Sequence, residues 1–215
     1  MIKSIRYFCL ITFFAFSSWA YSQSAFGVFA GLNSGRLAGD MPKNASYKGL
    51  MGANVGGFFD LKLSQSLHLS FQPSYSQEGT RIFYKVAKID EPVDSLKIRL
   101  NYFSLPLLLK VRSTNERFYA LSGIEAGILA DHRISSQDTE LDTDLSIESF
   151  NIAMHFGAGF NIPLGYPRLF IELRYSQGLV NLTDEPVEKS YIPRVKTAGF
   201  KVFAGIAFPL NKSTE

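Results

Sequence analysis

From residue 25 onward apolar and polar side chains alternate with a period of two, which is the pattern of strands with one greasy and one polar face. Eight stretches carry it, at about 26–33, 52–63, 67–78, 98–111, 117–130, 149–162, 168–180 and 196–209. The sixth is the most regular. Phe150, Ile152, Met154, Phe156, Ala158, Phe160 and Ile162 share one face, opposite Asn151, Ala153, His155, Gly157, Gly159 and Asn161. The fourth contains NYFSLPLLLKVR, residues 101–112. There Phe103, Leu105, Leu107, Leu109 and Val111 oppose Tyr102, Ser104, Pro106, Leu108 and Lys110. Leu108 breaks the alternation and is expected to pack inside. Pro106 has no N–H to give a ladder, so a bulge or a missing hydrogen bond is expected at that point.

The predicted connections alternate in length. Those around 64–66, 112–116 and 163–167 are short, whereas 34–50, 79–97, 131–148 and 181–195 are long and polar. In an up-and-down meander the four long ones fall at one end. Structureless loops of that length are unusual inside a compact soluble domain. The polar face carries Asp60, Lys62, Glu78, Lys110, Glu125, Glu172, Arg174 and Lys201, while the other face is nearly continuous Leu, Ile, Val, Phe and Ala. A soluble barrel turns the apolar face inward; a membrane barrel turns it outward.

Three features favour the outward sense. The predicted strands are long enough for a tilted span, which needs roughly 9–11 residues. Glycine crowds the polar face at positions 27, 31, 52, 56, 123, 127, 157, 159 and 205, as a narrow lumen requires. Aromatic residues recur near strand ends, at Phe83, Tyr84, Tyr102, Phe118, Tyr119, Phe150, Tyr166, Tyr175 and Phe208, and are expected to form an interfacial girdle. The expected fold is all-β, an eight-stranded antiparallel up-and-down transmembrane β-barrel. With an even strand count both termini lie at the short-turn, periplasmic end.

Composition adds a leader to this picture. Lys3 and Arg6 precede the apolar run Phe8–Phe16, and small residues follow, so residues 1–22 read as a signal peptide cleaved after Ala20 or Ser22 and 23–215 as one barrel domain. The single cysteine, Cys9, lies in that leader, which leaves the mature chain without a thiol or disulfide. Loss of Lys3 and Arg6 lowers the formal charge from +3 to +1. With no basic stripe, nucleic acid is excluded as a partner.

Several stretches resemble a known family. FGVFAGLN offers Gly27, Gly31, Leu32 and Asn33 of a Gly-x-x-x-Gly-Leu-Asn first strand. Tyr102, Pro106 and Leu107 to Lys110 match a Tyr-Leu-Glu-Ile-Pro-Leu-Leu-Leu-Lys fourth strand, with Ser104 in place of its glutamate and Leu105 in place of its isoleucine. Arg174, Tyr175, Ser176, Gly178 and Leu179 match a late Arg-Tyr-Ser-x-Gly-Leu stretch. Together they resemble the outer-membrane β-barrel family of Bacteroidetes that includes PorT-like proteins. The resemblance implies an eight-stranded barrel of a Gram-negative outer membrane, mostly without assigned chemistry, with one branch in a protein secretion apparatus. One departure is the tail PLNKSTE after Phe208, where many such barrels end on an aromatic.

Candidate chemistry is sparse. No Gly-x-Ser-x-Gly elbow is present, and Gly157-Ala-Gly159 lacks the third glycine of a dinucleotide loop. The acidic run Asp138, Glu140, Asp142 and Asp144 could hold Ca²⁺ but lacks the turn glycine of an EF-hand, so solvated loop charge is the plainer reading. His68, His132 and His155 have no zinc-ligand spacing. No catalytic residue, cofactor or metal is expected. Lys110, Glu125, His155, Glu172, Arg174 and Lys201 point into the lumen and are expected to form a structural ion network, because an unpaired buried charge is costly. A narrow polar pore or a catalytic carboxylate is the functional alternative, although eight strands leave barely enough room for their own side chains. The predicted function is that of a non-enzymatic barrel acting through its long loops or within an envelope or secretion assembly. Its expected partners are outer-membrane lipid and other envelope or secretion proteins. A membrane-embedded enzyme and a soluble lipocalin-like carrier are the alternatives.

Overall fold

Long alternating strands leave a row of backbone N–H and C=O groups on each edge, and only closure satisfies the last row. The computed structural model describes residues 24–39, 45–84, 94–136, 139–140, 149–163, 165–180 and 195–210. The predicted leader, the acidic positions Asp138, Asp142 and Asp144, and the tail 211–215 lie outside them. The strands are β1 (Ala25–Gly39), β2 (Ala45–Lys62), β3 (Leu67–Phe71), β4 (Ser74–Tyr84), β5 (Asp94–Arg112), β6 (Phe118–Ser136), β7 (Thr139–Glu140), β8 (Phe150–Ile162), β9 (Arg168–Gly178) and β10 (Val195–Pro209). All pairings are antiparallel, β2 and β5 each pair with both β3 and β4, β6 pairs with β8, and β1 pairs with β10 to close the ring. Strands β3 and β4 form one stave, and β7 is a two-residue addition to β6, so the ring has eight staves.

The split between β3 and β4 has a chemical cause. Gln72 N donates to Pro106 O at 3.1 Å, and Gly57 N donates to Pro73 O at 3.0 Å. Neither proline can make the return bond. The register runs unbroken through Leu105↔Ala126, Pro106↔Glu125 and Leu107↔Ile124. Of the two outcomes expected at Pro106, the structure shows the missing hydrogen bond and no bulge. The register shifts lie nearer the long connections, between Asn101 and Tyr102 in β5 and between Gly49 and Asn54 in β2.

The faces are as the alternation predicts, with the apolar one outside. Phe103, Leu105, Leu107 and Leu109 are exposed, whereas Leu108 is fully buried against Tyr119 and Leu121. This is the reverse of a carrier with an apolar interior. Two expectations need correction. Tyr102 and Tyr119 are buried in the lumen and belong to no girdle. Outer rings do cluster near the short turns, where Phe26 stacks on Phe208 at 5.4 Å, Tyr166 lies 6.2 Å from Phe208 and Phe118 lies 4.8 Å from Phe160. The predicted long connections 34–50, 79–97 and 131–148 are also partly strand, since β1, β2, β4, β5 and β6 all extend into them.

Inside, most aromatic rings lie over a glycine on the neighbouring strand. The pairs are Phe58 with Gly27, Phe203 with Gly31, Tyr119 with Gly159 and Phe170 with Gly205. A Cβ on Gly159 would stand 2.1 Å from the Tyr119 ring. Gly159→Ala is therefore expected to destabilise the barrel by about 1–3 kcal/mol through overpacking. The outward Ala158→Val should be near neutral. Urea unfolding of both variants, followed by circular dichroism, checks this; equal midpoints would remove the packing argument.

Candidate functional site

The lumen gathers polar groups from every stave. Period-two strands with charges at inward positions deliver Asp60 from β2, Glu78 from β4, Lys110 and Arg112 from β5, Glu125 from β6, His155 from β8, Glu172 and Arg174 from β9 and Lys201 from β10. Most of these side chains are almost wholly buried. Burial of this kind is stable only where each charge finds partners.

Three groupings result. Toward the long connections, Lys201 Nζ lies 3.0 Å from Glu78 Oε1 and 3.4 Å from Glu125 Oε1. His155 Nε2 approaches Glu125 Oε2 to 3.0 Å but is not aligned as a hydrogen bond, and Ser104 Oγ donates to Glu125 Oε1 at 3.3 Å. In the middle, Arg174 donates to Glu172 and to Gln72, and its guanidinium stacks 4.6 Å from the Phe203 ring. Tyr119 Oη donates to the other Glu172 oxygen at 2.7 Å. Toward the short turns, Asp60 accepts from Lys110 at 3.2 Å, from Arg112 at 2.8 Å and from Ser70 at 2.5 Å. Gln72 Nε2 donates to Ser70 Oγ at 2.8 Å, which joins this group to Arg174.

Of the six residues singled out from the sequence, Glu125, His155 and Lys201 meet directly and Glu172 meets Arg174. Lys110 meets none of them; its partner is Asp60. Asp60 and Glu78 were visible as polar-face charges, but their partners depend on which strands lie across the lumen. Gln72, Ser70 and the Tyr119 hydroxyl carry no charge, so charge patterning gives no signal for them.

The arrangement has two chemical consequences. Ser104, Glu125 and His155 are adjacent, yet the carboxylate stands between the hydroxyl and the imidazole. A hydrolytic relay needs the imidazole between the other two, so this trio is not one. The charges are also offset along the barrel. One cation serves two carboxylates at the long-connection end, and two cations serve one carboxylate at the other.

The short-turn mouth is tied by the hairpin between β5 and β6. Glu116 has left-handed backbone, φ 53°, a conformation usually filled by glycine. Its carbonyl accepts from Asn161 Nδ2 at 2.7 Å and its carboxylate accepts from Arg168 at 2.5 Å. The Arg168 hydrogen bond holds the Glu116 carboxyl below the usual glutamate range, against partial burial and with help from the charges of Arg168, Arg112 and Lys62. A carboxyl depressed on folding stabilises the fold above its unfolded pKa, and the contribution disappears as pH falls through the folded one. Acidification through and below the glutamate range should therefore loosen the 113–117 turn. Amide exchange of that turn across pH should show this step in the wild type and lack it in Glu116→Gly, which keeps the backbone. A step of the same size in both would assign it elsewhere.

The family model described as an outer membrane protein beta-barrel domain matches residues 17–184. The chain belongs to this family. The eight-stave ring with its apolar face outside is the architecture of such an outer-membrane barrel. Among solved structures it is similar to Ail, the attachment invasion locus protein of Yersinia pestis, at 18% identity and TM-score 0.45, covering 87% of this chain and 100% of that one. It is also similar to Neisserial surface protein A, at 13% identity and TM-score 0.45, covering 86% and 97%, and to OprG from Pseudomonas aeruginosa, at 11% identity and TM-score 0.40, covering 87% and 95%. No curated protein matches the chain.

Proposed function

We propose that this outer-membrane barrel is not an enzyme. It acts through the long connections that extend beyond its membrane band, or as a component of an envelope or secretion assembly of the PorT-like Bacteroidetes kind. Residues 1–22 direct its export, and the domain begins at 23. The short turns and both termini face the periplasm, and the long connections face outward. The observation that carries this reading is the filled lumen. Asp60, Glu125, Glu172, Arg174, Lys110 and Lys201 are each at most 5% exposed and bonded in pairs, which fills the described interior, ties the staves together and supports a sealed lumen. Activity then belongs to the outer surface, and β1, β2, β5, β6 and the combined β3–β4 stave reach well past what a span requires.

The test joins three measurements. Unboiled protein should migrate differently from boiled protein on a detergent gel. In planar lipid bilayers it should add no discrete conductance. Crosslinking in intact cells should capture envelope proteins in a manner lost when residues 85–93 are replaced by a short Gly-Ser link. Discrete single-channel steps would overturn the sealed-lumen reading. An unchanged crosslinking pattern would overturn the role of the extensions.

A further inference from the structure

The short-turn mouth opens on a cavity of about 150 Å³ lined by Lys62, His68, Arg112, Glu116, Asn161 and Arg168. Three permanent cations face it against one carboxylate. Asp60, just inside, is already met by Lys110, Arg112 and Ser70. Glu116 is engaged by Arg168. Lys62 has no carboxylate partner among the described residues. This end therefore carries Lys62, Lys110, Arg112 and Arg168 against Asp60 and Glu116, an excess of positive charge that the plug itself does not use.

A second observation is independent of charge. His68 is 3% exposed and its Nδ1 has no hydrogen-bond partner, and the buried Nε of Arg112 has none either. Buried polar nitrogens without partners are rare; the Arg112 Nε–H can only donate and so points to an acceptor that the protein itself does not supply, while His68 Nδ1 beside it on the cavity wall can donate or accept. A water's share of liquid volume is about 30 Å³. The cavity thus admits a tetrahedral oxyanion together with a water or two. Guanidinium and ammonium donors suit such a ligand through charge-assisted hydrogen bonds.

We propose that the short-turn mouth binds a phosphate-class oxyanion, held by Lys62, Arg112, Arg168 and the His68 imidazole. The ligand is either free phosphate or the phosphodiester of a lipid headgroup at the rim, and the chemistry of recognition is the same for both. The site lies at the short-turn end of the lumen network and shares Arg112 with it, and it stands whether or not the barrel conducts or binds partners.

The experiment uses the mature barrel refolded in octyl glucoside, a detergent without phosphate, and labelled with ¹⁵N in its arginines. Sodium phosphate is titrated against sodium chloride at matched ionic strength while the Nε–H resonances are followed. Wild type should show a saturable shift with phosphate and none with chloride. Lys62→Gln, checked for folding by its gel mobility, should bind about tenfold more weakly, the loss of one charge-assisted hydrogen bond. A parallel titration uses monomeric dihexanoylphosphatidylglycerol. A Lys62-dependent shift with the lipid alone assigns the headgroup as source, and one with inorganic phosphate assigns the free ion. No saturable shift with either probe, an equal shift with chloride, or undiminished binding by Lys62→Gln overturns the proposal.

Discussion

Replacing Lys201 with methionine should destabilise the barrel by about 3–5 kcal/mol, the cost of leaving buried carboxylates without their cation. Lys201 is the shared partner of Glu78 at 3.0 Å and Glu125 at 3.4 Å. Without it two largely buried carboxylates lose their shared cation, and His155 and Ser104 remain beside Glu125. Adding Glu125→Gln to the same variant should recover part of the loss, because it removes one of the two stranded charges. A double variant no worse than the single one is the expected signature of coupling. Strict additivity of Lys201→Met and Glu125→Gln would show that the two side chains do not act together. Trp19 is the only tryptophan and falls within the proposed leader, so unfolding in lipid vesicles is best followed by circular dichroism and gel mobility.

Leu107→Arg should cost about 2–4 kcal/mol in a bilayer, the range for a cation on the lipid face near the midplane of such a barrel. Leu107 points outward and is 43% exposed, with Leu105 and Leu109 on either side of it along the same face. On a water-facing surface the same substitution would be neutral or would improve solubility. The sign of the effect therefore reports which solvent the outer face meets. Vesicle-based urea unfolding gives it directly, and a neutral Leu107→Arg in lipid would contradict a membrane-spanning β5.

The faces of all eight staves were legible in the sequence because side-chain direction in a strand has a period of two, and the charges fall almost wholly on one of the two sets. Leu108 is the instructive case. It is as apolar as its neighbours, and parity alone places it inside, where Tyr119 and Leu121 receive it. Parity also places Tyr102 and Tyr119 inside; assigning them to a girdle by proximity to a strand end ignored that rule. The strand extensions were not legible, since 131–136 is polar apart from Ile134, and in 79–84 the apolar Ile82 and Phe83 are consecutive, so neither stretch offers an alternation to read. The partners of the lumen charges were not legible either. Lys110 finds Asp60 from 50 positions away only because β3 pairs with both β5 and the end of β2, which brings the two side chains together on the inner wall. That geometry depends on register and closure, which one strand's composition does not encode.

The pairing of interior rings with glycines bears on how the ring shuts. A slip of one residue between two staves is opposed by the whole inside–outside pattern, but a slip of two preserves it. Along the β1–β10 contact Phe29 stands opposite Gly205 and Gly31 opposite Phe203. Moving by two in one direction would set Phe29 directly against Phe203, and moving by two in the other would set Asn33 there. Either misalignment leaves a ring without its recess. The first and last staves thus behave as the two halves of a keyed latch, which gives closure of the ring a steric check that hydrophobicity alone could not supply.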